Sequence, residues 1–184
     1  MDWERIPNNE HAKRAVEVAG VGLHPVFMLA QDAKIAESLA KYASTLGVRV
    51  SIVVWPSFSR IRSKNYPIRT VVFKPTPSDL IRLMHGSLGE SFLALRERVL
   101  EARKFRESAR FRIVFDERAV AEDLKKYAMS TKQFTSLLDV SKSLAALENT
   151  EKVDLWHWKE ALLLWTAVED FQKKALRRLA SRQD

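Results

Sequence analysis

Proton transfer, nucleophilic attack and metal binding need particular side chains at particular spacings. The 184 residues contain no cysteine, which excludes a thiol nucleophile, a disulfide framework and cysteine-ligated zinc. The four histidines, His11, His24, His85 and His157, are scattered, and none stands in an HExxH or other paired-ligand spacing. Structural or surface roles are the expectation for them. No GxSxG elbow presents a serine nucleophile. Asp and Glu are plentiful, but they fall on segments that read as helix, where a solvated face explains them. Trp156, Trp158 and Trp165 are of a type that stacks on bases. The helix around them is apolar on most sides, so core packing is the stronger expectation. No enzyme motif emerges, and the expectation is a non-enzyme with no metal and no cofactor.

What remains is charge. Lys and Arg number 31 against 23 Asp and Glu, a formal +8, and the excess is uneven. Residues 1–48 carry −1, 49–82 carry +6, 83–112 carry +3, 113–172 carry −4, and the last twelve residues carry +4. Segregation of this kind creates surfaces that attract phosphates or acidic proteins. The candidates for DNA or an acidic partner are Arg96, Arg103, Lys104, Arg106 and Arg110, then Lys173, Lys174, Arg177, Arg178 and Arg182. Glu97, Glu101 and Glu107 interrupt the first group, and intrahelical pairing would absorb part of its charge. The second is the cleaner patch. A surface whose charges scatter on folding is the plain alternative.

The elements that must position these residues begin with Glu10 to Ala19, a short helix after Asn9 as a plausible cap, with Gly20 and Gly22 at its end. Pro25 to Ala30 is a continuous apolar run, as in parallel strands covered on both faces. Ala33 to Leu46 is helical with Gly47 as its stop, and Val48 to Trp55 is a second strand. A strand, a fourteen-residue helix and a strand make a βαβ unit. A basic loop runs from Pro56 to Pro67, and Thr70 to Phe73 is a third strand. Afterwards the pattern is helical: Ser78 to Met84, a turn at 85–89, Glu90 to Arg110, an extended joint at 111–115, a helix to Ala128 capped by Asp116, a helix from a capping box at Ser130–Gln133 to Glu148, and a last helix capped by Asp154. The expected fold is α/β, with a small parallel sheet of about three strands followed by an all-helical lobe; the division falls at residues 1–77 and 78–184. No signal-type run opens the chain, and no apolar stretch reaches the ~18–20 residues that cross a bilayer. A cytoplasmic protein with no membrane partner is expected.

Three blocks carry a resemblance. Asp2-Trp3, Glu10-His11-Ala12-Lys13-Arg14-Ala15-Val16-Glu17-Val18-Ala19, His24 and the strand from Val26 resemble the opening of the ATPase module in the magnesium-chelatase and ComM-like branch of AAA+ proteins. Gly89-Glu90-Ser91 with Leu95-Arg96-Glu97-Arg98-Val99 is similar to the family's GESS-x-x-I-R-x-R-V helix. Met129 to Phe134, Lys142 to Glu148, and Val153-Asp154, Trp158 and Glu160-Ala161-Leu162 are similar to its helical lid. The blocks occur in family order over roughly two-thirds of the chain.

The departures fall on the chemistry. Where the family has a GPPGSGKT phosphate loop, this chain reads Ala30-Gln31-Asp32-Ala33-Lys34-Ile35. It has no glycine for an amide nest, an acid where phosphate would sit, and Ile35 in place of the magnesium-binding hydroxyl. Lys34 is at most a vestige of the loop lysine. The Walker B and sensor segment is missing after Trp55, and Tyr66 to Phe73 resembles a later segment with Pro67 and Arg69 substituted. Lys132 and Lys142 replace lid arginines, and lysine lacks the planar two-pronged contact with phosphate. The resemblance therefore implies a degenerate, non-hydrolysing module acting as a protein- or DNA-interaction subunit of an active AAA+ ATPase or other DNA-processing assembly, with Lys34 and Lys132 as vestigial nucleotide contacts. The alternatives are a sequence-tolerant nucleic-acid-binding protein and a residual ATPase. Homo-oligomers are a further expectation, because the family forms rings.

Overall fold

A computed structural model describes residues 2–55, 65–79 and 90–180, with side chains omitted at 176 and 178–180. Strands β1 (Val26–Ala30), β2 (Val50–Val54) and β3 (Ile68–Val72) form a parallel sheet in the order β2-β1-β3. Val26 pairs with Val50 on one side and Ile68 on the other. The helix between β1 and β2 is α2 (Ala33–Thr45), so the expected βαβ unit is present. Preceding them is α1 (Glu10–Gly22). After them come α3 (Phe92–Ser108), α4 (Glu117–Lys126), α5 (Thr131–Leu147) and α6 (Leu155–Ala180). The chain is α/β, with helices predominating.

Alternation along each strand sends residues to opposite faces. Val26, Met28, Ala30, Ile68 and Val72 join the apolar cluster under α1 and α2, whereas Phe27, Leu29 and Val71 meet Val168 and Phe171 of α6. Both faces of β1 are thus covered, which explains its unbroken apolar run. The main cluster unites Trp3, Val16 and Met28 with Val99, Leu144 and Trp158, drawing on both sides of residues 77–78.

Helix α1 is the axis of this packing, touching β3, α2, α3 and α5. Its buried residues are mostly Ala and Val, small enough for neighbouring helices to approach closely. Gly22 is the last residue of the helix, as expected, whereas Gly20 lies inside it; the left-handed residue that follows is Leu23 (φ 54°). A Cβ on Gly20 would fall 2.8 Å from Val99 Cγ1, so the glycine marks where α3 crosses. Gly47 (φ 78°) does terminate α2 as expected.

Asn9 is the N-cap residue of α1, as expected, but its side chain makes no capping bond. Its amide oxygen accepts from Phe73 N–H at 2.8 Å, and its amide nitrogen donates to the carbonyls of Pro7 and Phe73. His11 Nε2–H donates to Val71 O at 2.6 Å. These two side chains pair backbone groups at the end of β3's outer edge, Val71 O and the N–H and C=O of Phe73 just beyond it. The joint at 111–115 contains β4 (Arg112–Ile113), which pairs in parallel with β5 (Lys152–Val153), a strand the periodicity did not suggest. The expected loop at 56–67, the short helix at 78–84 and the turn at 85–89, with His85, fall wholly or mostly outside the described residues.

Candidate functional site

The first place to look for chemistry is the turn from β1 to α2, where a phosphate loop would lie. Two residues make it, Gln31 and Asp32. Gln31 N–H donates to Val72 O at 2.8 Å, continuing the ladder to β3. Asp32 is the N-cap of α2, and its carboxylate accepts from Ile35 N–H at 3.1 Å. The end of the helix dipole that attracts anions already faces a carboxylate of the chain itself. Lys34 is exposed on the first turn of α2, at the C-terminal end of the sheet. Lys132 is exposed at the start of α5, beside a small cavity of about 80 Å³ that also touches Asn65, Tyr66 and Pro67 just before β3. Because the strands are parallel, Lys34 and Lys132 stand at opposite ends of the sheet and do not meet.

The basic residues divide by what holds them. Arg103 donates to the carbonyls of Gly20 and Leu46, the latter at 2.7 Å, closing the ends of α1 and α2. Arg106 binds Asp139 Oδ1 at 2.7 Å. Neither belongs to a basic stripe, because the face of α3 that carries Leu95, Val99 and Ala102 turns them inward. Arg96, Lys104 and Arg110 are exposed, but Glu97, Glu101 and Glu107 share the solvent side. Lys173, Lys174 and Arg177 are exposed near the end of α6. The side chain of Arg178, and Arg182 entirely, lie outside the described residues.

The sequence blocks noted above converge on one ion network. Glu17, 5% exposed, accepts from Arg14 Nη1 and from Arg98 Nε, both at 2.8 Å. Arg14 also reaches Glu160 of α6 at 2.8 Å, and Arg98 reaches Glu90 ahead of α3. Near the chain's start, Trp3 packs edge-on to Tyr42 at 5.4 Å and against Phe92 at 5.5 Å. Residues quoted for their pattern are therefore joints between α1, α3 and α6.

One arrangement imitates a catalytic triad. His24 Nε2 lies 2.9 Å from Ser143 Oγ, and Asp139 Oδ2 lies 3.9 Å from His24 Nδ1. The Ser143 hydroxyl also has the Asp139 carbonyl of its own helix as an acceptor at 3.3 Å. Ser143 is fully buried under Gly22, which leaves a substrate no approach. Burial pushes the His24 imidazole down to about 4; Asp139 opposes that shift and Arg106 adds to it. His157, buried between α5 and α6, accepts from Asp154 N–H at 3.1 Å and bonds Glu148 at 3.1 Å. Of the three tryptophans, Trp158 and Trp165 are in the core and Trp156 is exposed. Trp158 Nε1–H donates to buried Asp123 at 2.8 Å.

A larger cavity, about 340 Å³, opens between β3, the end of α4 and the second half of α6. Its floor is Arg69, 1% exposed, paired with Glu169 and stacked 4.5 Å from the centre of the Trp165 ring. Burial lowers the Arg69 guanidinium from its usual value, and Glu169 opposes that effect. Arg69 was noted in the sequence only as a substitution; its partner lies 100 residues away, so no local pattern signals the pair. Among the described residues no group of three or more His, Cys, Asp or Glu side chains could hold a metal. Nor is any helix among them long and apolar enough to cross a membrane. No protein-family model matches the chain, and no curated protein matches it.

Proposed function

We propose that this chain is a non-hydrolysing module of the magnesium-chelatase and ComM-like AAA+ type, which works by docking and not by chemistry. The observation that carries the reading is the two-residue β1–α2 turn, in which Asp32 caps the helix amide that a phosphate would otherwise approach. Phosphoryl transfer needs a phosphate cradle, a metal-holding acid and cationic contacts together. Here the cradle is replaced by a carboxylate, and Lys34 and Lys132 are held apart. The Arg14–Glu17–Arg98 network supports the same reading, since the residues behind the resemblance are those that pack helices together. In this reading α3, α5 and α6 correspond to the family's lid, and the partner is an active ATPase of the family or another component of a DNA-processing assembly. Titration calorimetry with ATP and magnesium tests it. The expected result is no saturable heat and no phosphate release above a heat-killed control; micromolar binding or turnover would overturn it.

A second reading, sequence-tolerant binding of nucleic acid, is favoured by the exposed Lys173, Lys174 and Arg177, which stand on a stretch from Phe171 to Gln183 without a carboxylate.

A further inference from the structure

The cavity over Arg69 is of a size that small ligands occupy. A buried Arg–Glu pair is weak support for stability, because apolar replacements of similar volume are often as stable or more so. Arg69 and Glu169 nevertheless lie at the floor of an opening, with Trp165 under the guanidinium. Tyr127 meets Trp165 edge-on at 6.0 Å, so two aromatic rings form part of the wall. The charges around the opening are unequal. The floor pair neutralises itself, and the other charged residues lining the opening are Lys126, whose ammonium stands 5.0 Å from the centre of the Tyr127 ring, Lys173 and the lone acid Asp170. Both lysines are exposed, and they come from different helices, Lys126 from the last turn of α4 and Lys173 from α6. Their meeting is a product of tertiary packing, in contrast to the alternating charges along α3. Two lysines focused on a partly enclosed, aromatic-walled opening favour a negative guest.

We propose that this cavity binds a small organic anion, a carboxylate or phosphate carried on a flat ring. Lys126 and Lys173 hold the charged group at the mouth, and Trp165 and Tyr127 receive the ring. The site adjoins the start of β3, away from the β1–α2 turn, so it stands whether or not ATP binds. Calorimetry on the full chain with phenyl phosphate, benzoate and benzylamine is the test, the first two separating phosphate from carboxylate. At least one anion binds at a one-to-one ratio with Kd below about 1 mM, and benzylamine does not. The paired substitution Lys126→Glu with Lys173→Glu weakens that binding at least about tenfold, while Arg96→Glu with Lys104→Glu leaves it unchanged. Lys126→Gln with Lys173→Gln, checked for folding by circular dichroism, repeats the test with a milder change. Equal binding of benzylamine, unaltered affinity in both lysine variants, or no binding of either anion at 10 mM, about ten times that limit, overturns the proposal.

Discussion

His24 illustrates how far a single residue's meaning depends on what surrounds it. It faces Ser143 and Asp139 from α5 and Arg106 from α3, beneath Gly22 of its own turn. Its folded pKa of about 4 lies below the ordinary 6.5, with burial as the main cause. Above pH 6.5 the ring is neutral in both folded and unfolded chains and contributes no pH dependence. Between 6.5 and 4 the unfolded chain takes up a proton that the folded one refuses. Stability therefore falls with pH by up to about 1.4 kcal/mol per unit, levelling off below 4. Urea midpoints measured from pH 7 to pH 4 should show the wild type losing about 2–3 kcal/mol more than His24→Gln. Parallel curves for the two proteins would mean that the imidazole titrates freely. At this scale, what a sequence makes legible is local spacing. The His24–Ser143 bond spans 119 residues and was not legible.

Caps are the best-read feature among the elements, since a cap is an interaction over two or three residues. Asp116 accepts from Arg118 N–H at 2.9 Å, Asp154 from His157 N–H at 3.2 Å, and Ser130 and Gln133 form the reciprocal box. Asn9 stands at the N-cap of α1 as expected, but its side chain pairs with Phe73, 64 residues on, and a polar side chain before a helix looks the same in either role. Gly20, expected at the helix end, differs for a related reason. Glycine at a helix end and glycine at a helix crossing are identical in sequence, and only the neighbouring helix distinguishes them. The crossing makes a prediction for Gly22→Ala. An exposed helical site would gain about 1 kcal/mol from that change. Here the new Cβ would lie 2.5 Å from Ser143 Oγ and collide with the His24 ring. Overpacking of about 1–3 kcal/mol should outweigh the propensity gain. Thermal unfolding should therefore show a lowered Tm; a raised one would mean that α1 and α5 are less closely packed than described.

For the whole molecule the question is where +8 of net charge ends up. Folding turns Arg103 and Arg106 of α3 toward carbonyls and Asp139, and leaves Arg96, Lys104 and Arg110 among glutamates. Near the end of α6 the exposed Lys173, Lys174 and Arg177 stand on a stretch without interspersed acids. If nucleic acid binds, it binds there, through phosphates, with affinity that falls steeply as salt rises. In a low-salt mobility shift, Lys173→Glu, Lys174→Glu and Arg177→Glu together should abolish retardation, whereas Arg96→Glu with Lys104→Glu should change it little. A shift that survives the first set, or persists unchanged into high salt, would remove this reading.

The sequence by itself determined what depends on neighbours along the chain: the βαβ order, the caps, the amphipathic helices, and a β1–α2 turn without glycine. Such features arise from backbone dihedrals and side-chain periodicities that a few adjacent residues set, the Asn9 side chain being the exception among the caps. Only the tertiary structure decided which charges are bound and which are free to meet a partner, that Lys34 and Lys132 lie at opposite ends of the sheet, and that Arg69, Trp165 and Lys173 share a cavity. Burial and ion pairing act through space, between residues whose separation along the chain carries no trace of their contact.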